Sequence, residues 1–412
     1  MKIKLIIISL FFTLDVATTV KAQALSEFLD MAIQNNLELK VLENEYRAAI
    51  ERAPQVSQLP DPEIGIGVFP LPVETRLGAQ SARLSAMQMF PWFGTLDVRK
   101  NIELTKAEAL YKRVAARTLD LSYEVKIAFF QLYEIRETQA IIQRNLEIFQ
   151  SLERLVLTKV ESGKATAADV LSVQLKIEEL KQELDILETA KVGPTASINQ
   201  LLNRKMKDSI VISDKLTPAE ISFDRDSILP LIRSGHPIVQ MFELQQDISR
   251  QAISLNKLTG KPSFGLGMDY INVSERDDAF PVGNGRDIFQ LKASINIPLY
   301  RQKYAAKERE ENQKIEALDH RKTDVLTRFS SMIEKAYADY ETAYMRISLY
   351  EKQLEITKAA IQILETNYST QGSSFDELLR LEKELIDYDL KLLKATVQSH
   401  IAKSRIERFI PL

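Results

Sequence analysis

The chain has 412 residues, 54 Lys+Arg against 57 Asp+Glu and 45% apolar content, enough to bury a core and too much for a disordered chain. A net charge of −3 with interspersed signs argues against a nucleic-acid partner, which needs a concentrated basic surface. The absence of cysteine removes disulfides, thiolate nucleophiles and cysteine-type zinc sites together.

Lys2 and Lys4 precede an apolar run from Leu5 to Leu14, and Val20-Lys21-Ala22-Gln23-Ala24 offers small residues for cleavage after Ala22 or Ala24. The pattern predicts a secretory signal peptide over 1–22. Asp15 breaks the run well short of the roughly 20 apolar residues of a spanning helix. No cysteine follows to carry a lipid. The mature chain is expected to be periplasmic, secreted, or set in an outer membrane as a β-barrel.

Glycine and proline divide the remainder. Residues 95–162 and 299–371 contain neither, and about 70 helical residues at 1.5 Å each would reach roughly 100 Å. Nine of the 13 glycines fall at 65, 67, 78 and 94 and at 260, 265, 267, 283 and 285, where helices must stop.

A first repeat over 23–203 is predicted to hold a helix from Ser26 to Arg52, a strand pair at about 62–90 and a long helical hairpin at about 94–203 turning at Gly163. A linker or equatorial segment over 204–224 carries the strand-like Ile210-Val211-Ile212. The second repeat, 225–412, is predicted to hold a helix from Asp226 to Leu258, a strand pair at about 262–298 and a long hairpin at about 299–410 turning at Gly372.

Steps of alternating three and four from Leu326 to Tyr368 give thirteen positions, twelve of them apolar or aromatic. The same steps from Val125 to Val160 fit at nine of eleven. Spacing sustained at 3.5 residues means coiled-coil packing. A second row, Ile141, Ile148, Leu152 and Leu155, suggests a helix with neighbours on two sides. Each position of the earlier series lands on the later one after a shift of 208, as Val125 on Ile333 and Leu132 on Tyr340. The chain therefore reads as a tandem duplication.

The strands alternate at period two. Phe289, Leu291, Ala293, Ile295 and Ile297 share one face; Gln290, Lys292, Ser294 and Asn296 share the other. Phe264, Leu266, Met268 and Tyr270 oppose Gly265, Gly267 and Asp269. Ile64, Ile66 and Val68 supply a shorter version, and Ala82, Leu84 and Ala86 alternate with Arg83 and Ser85. Such strands suit a membrane barrel, but four of them cannot close one, and open edges cannot face lipid. Three chains would supply twelve strands, an even number. Arg83, Asp269, Lys292 and Asn296 are then the candidate lumen residues; solvation of a soluble hairpin pair would explain the same polarity.

Leu59-Pro60-Asp61-Pro62 before a glycine-alternating strand, Phe90-Pro91-Trp92-Phe93-Gly94 opening the long helix, and Gly163 with Asp169-Val170-Leu171 after the turn resemble the TolC-type outer membrane efflux proteins. The likeness spans essentially the whole mature chain and its duplication. It implies a mainly α fold with a small β part: long antiparallel helical hairpins forming a helical barrel, and four strands per chain contributing to a trimeric 12-stranded outer-membrane β-barrel. It implies a homotrimer in outer-membrane lipid, passively conducting substrates from an inner-membrane pump through a periplasmic adaptor. It further implies that the hairpin ends form the periplasmic entrance and adaptor contact: Ser162, Gly163, Lys164 and Asp169 in one copy, Gln371, Gly372, Ser373, Asp376 and Glu377 in the other. Asp169 and Asp376 equally suit helix starts, where the dipole favours anions. The Phe-Pro-Trp-Phe-Gly sequence is similar to the subgroup serving heavy-metal pumps, making metal cations a possible cargo.

Neither a cofactor nor a resident metal is expected. His236, His320 and His400 read as surface or packing residues, and Met87, Met89 and Met268 as barrel residues. An enzyme is disfavoured: no nucleophile–base arrangement stands out, and Gly65-Ile66-Gly67 lacks the later glycine of a dinucleotide site. A periplasmic adaptor and a structural coiled-coil protein without a pore are the alternatives; an adaptor would usually show one hairpin rather than two related by duplication.

Overall fold

The computed structural model describes residues 24–222, 224–371 and 375–410. The predicted signal peptide over 1–22 and the second hairpin turn, with Gly372 and Ser373, lie outside the described residues. The first half runs α1 (Leu25–Asn35), α2 (Leu37–Ile50), α3 (Arg52–Val56), β1 (Glu63–Thr75), β2 (Gly78–Phe90), α4 (Thr95–Glu161), α5 (Ala167–Ala190) and α6 (Val192–Leu201). The second repeats the order as α7 (Arg225–Gly235), α8 (Pro237–Thr259), β3 (Ser263–Ser274), β4 (Ile288–Asn296), α9 (Gln302–Gln371) and α10 (Phe375–Glu407).

Each medium helix expected as one piece is interrupted. Asn36 leaves helical geometry, and its side chain accepts from the backbone N–H groups of Glu38 and Leu39, so α2 starts afresh. His236 does the same for α8, accepting at Nδ1 from Ile238 N–H at 3.2 Å, with Pro237 in the first helical position. The strand-like Ile210–Ile212 forms only an isolated bridge at Ile212. There the chain is held through side chains instead: the Ile212 carbonyl accepts from the Arg136 guanidinium.

The chain divides into two compact units, each built from both halves. In the first, α4, α5, α9 and α10 share a core of Ile142, Phe149, Val156, Val173, Ile177, Ile361, Tyr368 and Leu378. Every residue of the two stepped series is buried or half-buried, as coiled-coil seams require. Other apolar rows stay open: Leu171, Leu175 and Ile186 on α5, and Met345, Leu349, Ile356 and Ile363 on α9 are exposed.

In the second unit, Ile228 and Ile232 of α7 pack with Ile333, Ala336 and Tyr337 of α9 and with Ile406 and Phe409. This unit also holds a four-stranded antiparallel meander in the order β1-β2-β3-β4, leaving β1 and β4 as edges. Opposite residues share a face, and Gly65, Ser85, Asp269 and Gln290 lie in one row across the sheet. The β1–β2 turn depends on Gly78, whose φ is +132° and whose added Cβ would sit 1.7 Å from the Ser274 carbonyl oxygen. Pro70 and Pro72 fall where the register slips between Val68 and Val73. Lacking N–H groups, they are accommodated in that slip, where β1 has no ladder partners on β2.

Candidate functional sites

One face of the sheet is apolar and open. Ile66 is 80% exposed and Leu291 75%, and Val68, Leu266 and Phe289 join them. A soluble domain buries such a face. The opposite face carries the polar residues predicted for a lumen.

The register brings three of these together. Asp269 is fully buried, its Oδ1 2.7 Å from Lys292 Nζ and its Oδ2 accepting from the Arg83 guanidinium. Both cations lie diagonally across the ladder, because Arg83 opposes Ile271 and Lys292 opposes Gly267. Next to them, the absent side chains at Gly265 and Gly267 make room for Met87 and Met89: a Cβ on Gly265 would sit 2.7 Å from Met89 Sδ and 3.2 Å from Met87 Sδ. Asn296 is not part of this cluster; it pairs with Ser263 at the foot of the sheet.

In the first unit, the ends of the two hairpins come together. Gly163 closes α4 with φ +70°; its N–H donates to Val160 and the Lys164 N–H to Lys159, satisfying two terminal carbonyls. Ser162 is bonded back through its hydroxyl to the Lys159 carbonyl. Thr166 and Asp169 form a reciprocal capping box, the Thr166 N–H donating to Asp169 Oδ2 at 2.7 Å. One oxygen of Asp169 is thus spent on starting α5. Asp376 and Glu377 occupy the first turn of α10, where the helix dipole favours them, and Gln371 is the last residue of α9.

A cavity of about 390 Å³ joins these ends, lined by Gly163, Lys164, Thr166, Asp169, Tyr368 and Asp376 among others. Its floor is Tyr368, buried beside Phe375 with ring centres 5.6 Å apart. The Tyr368 hydroxyl has no hydrogen-bond partner among the described residues, and burial followed by the charge of Asp169 raises its pKa above the ordinary phenol value. Lys159 Nζ sits 3.9 Å from the ring centre and donates to the Tyr368 carbonyl. Farther along the hairpin, Glu382 is buried near Glu365, and burial then like charge push its carboxyl up to about 7.

The sequence reading missed Lys159, Tyr368 and Glu382 as site residues. The Thr166-x-x-Asp169 box was readable locally; the Lys159 contact joins residues 209 apart and had no local signal.

No protein-family model matches the sequence, and no curated protein matches it. Solved structures do. A membrane protein from Pseudomonas aeruginosa aligns with a TM-score of 0.74 at 14% identity, over 94% of this chain and 93% of the other. The outer-membrane channel OprN aligns at 0.72 and 18% identity, over 94% and 89%. The outer membrane protein VceC from Vibrio cholerae aligns at 0.71 and 13% identity, over 94% and 96%. The chain has the TolC-type outer-membrane channel fold. The resemblance read from Leu59–Pro62 and Phe90–Gly94 thus holds at the level of fold.

Proposed function

We propose that this chain is the outer-membrane channel of an efflux system, working as a homotrimer that conducts substrate passively. The observation that carries this reading is a four-stranded meander with two free edges and an open apolar face. Such edges cannot stand in hydrocarbon, where each unpaired backbone group costs several kcal/mol, so β4 of one copy pairs with β1 of the next. The strands at those two edges run antiparallel, and three copies give a closed ring of twelve. The exposed rows on α5 and α9 give each copy a helical seam to place against its neighbours, as a continuing tube needs.

In this reading the cluster of Arg83, Asp269 and Lys292 faces the water-filled lumen, and the cavity between the hairpin ends lies at the periplasmic entrance and adaptor contact. An inner-membrane pump supplies the energy and selects the cargo. Metal cations are the first cargo to assay, on the strength of the Phe90–Gly94 resemblance.

The test exploits the natural absence of cysteine. Gln290→Cys and Leu291→Cys place single thiols on opposite faces of β4. A trimer in detergent-solubilised outer membrane, with Gln290→Cys labelled by small hydrophilic thiol reagents and Leu291→Cys protected, is the expected result. A monomer that leaves the membrane fraction without detergent, labelled equally at both positions, overturns the channel in favour of a pore-free periplasmic protein.

A further inference from the structure

At the foot of the sheet lies a cavity of about 460 Å³, a size suited to a small ligand or headgroup. Its wall is formed by strand ends at Met89, Ser263 and Asn296 and by the starts of both long helices. Three cations line it, Arg99, Lys261 and Lys303, and no carboxylate does. None of the three forms an ion pair among the described residues. Lys261 and Lys303 instead lie against aromatic faces, with Nζ 5.4 Å from the Trp92 ring centre and 4.9 Å from that of Tyr304.

The positive ends of two long helix dipoles add to the field, and the first turn of α9 holds no acidic residue. Asp97 stands in the first turn of α4 but does not line the cavity. The walls are fixed: the Tyr304 hydroxyl donates to the Thr259 carbonyl at 3.1 Å, and Asn256 Nδ2 donates to the Tyr304 carbonyl at 2.8 Å.

We propose that this cavity binds the phosphate of an anionic membrane phospholipid, one per chain. The proposal rests on the sheet lying in a membrane. What selects a lipid over a free anion is the apolar rim: Trp92 lies with its ring centre 6.0 Å from that of Phe264, on the open apolar face, and Leu299 and Tyr300 line the cavity while remaining largely exposed. An acyl chain leaving the cavity meets that face, while the headgroup meets the cations. A headgroup without its own amine suits three unneutralised cations best, which favours phosphatidylglycerol over phosphatidylethanolamine.

The experiment is native mass spectrometry of the full chain purified in detergent, with phosphatidylglycerol, phosphatidylethanolamine or inorganic phosphate added separately. The wild type is expected to retain one phosphatidylglycerol per chain, in preference to phosphatidylethanolamine, and inorganic phosphate in excess leaves it bound. Lys261→Gln with Lys303→Gln is expected to weaken retention about thirtyfold, from the attraction lost per cation. Unchanged retention in the charge variant, equal retention of the two lipids, or displacement by phosphate overturns the lipid assignment. The oligomeric mass in the same spectra separates the failures: an intact trimer without selective retention sinks this inference alone, whereas a chain extracted without detergent sinks the channel as well.

Discussion

Lys159 of the first hairpin and Tyr368 of the second are joined twice, the ammonium lying 3.9 Å from the ring centre and donating to the Tyr368 carbonyl. The two residues sit at corresponding ends of α4 and α9, so one side chain ties together helices from the two halves of the duplication. Replacing Lys159 by Met keeps the apolar stem and removes both interactions. A charge-assisted hydrogen bond with a cation–π contact is worth about 2 kcal/mol. Backbone amides on either side of Gly163 should exchange hydrogen more than tenfold faster in the variant, by about that free energy. Tyr368→Phe is the contrast: it deletes a hydroxyl with no partner among the described residues and should leave exchange unchanged or slower. Equal acceleration in both variants would show that the Tyr368 hydroxyl matters to the joined ends as much as the lysine does.

Asp269 is the centre of a second tie, in which one carboxylate holds Arg83 of β2 and Lys292 of β4. Asp269→Asn leaves two neighbouring cations with no anion between them, and like charges this close repel. Two effects are expected together: the oligomer dissociates at a lower temperature, and the permeability ratio of cations to anions in planar bilayers falls. Adding Lys292→Gln to Asp269→Asn should recover much of the thermal loss. A ratio unmoved by Asp269→Asn would place the cluster away from the ion path.

Above neutral pH, the buried Glu382 carboxyl is ionised beside Glu365. Its pKa of about 7 exceeds the ordinary carboxylate value of 4.5, so the folded hairpin binds the proton more tightly than the unfolded chain does. Stability therefore falls as pH rises from 4.5 to about 7 and then levels off. Glu382→Gln should abolish the slope and make the α9–α10 pair more resistant to proteolysis at mildly alkaline pH. An unchanged pH profile in that variant would assign the slope to another group.

Local periodicity carried much of the architecture. The 3.5-residue rows from Val125 and Leu326 report which side of each long helix meets another, because a seam repeats along its whole length. Period-two alternation likewise put Arg83, Asp269 and Lys292 on one face. Their meeting needed more, since it depends on the register of three strands, and Asp269 reaches its partners only across diagonals. The burial of Glu382 depends in the same way on how α10 slides along α9. The breaks at Asn36 and His236 were readable in principle, as an amide and a residue before proline at helix starts. The apolar pattern on either side outweighed them.

His236 makes the last prediction, because it joins a cap to a core. Its ring packs 4.7 Å from that of Phe329 while Nδ1 accepts from the Ile238 N–H, which requires an unprotonated nitrogen. Burial is the main reason its pKa falls from 6.5 to about 4; the charge of Arg408 adds to that and Asp120 opposes it. A group depressed in the folded state stabilises it above the unfolded value and ceases to do so as pH drops through the folded one. The contribution is roughly 3 kcal/mol at neutral pH and disappears between pH 6.5 and 4. Asn at this position caps a helix without titrating. In His236→Asn the lost contact with Phe329 lowers stability at neutral pH, but the decline below pH 6.5 should flatten. Denaturant midpoints of the second unit, followed through Trp92 fluorescence as the pH is lowered, measure both. If the variant keeps the wild-type acid slope, the slope belongs to a group other than His236.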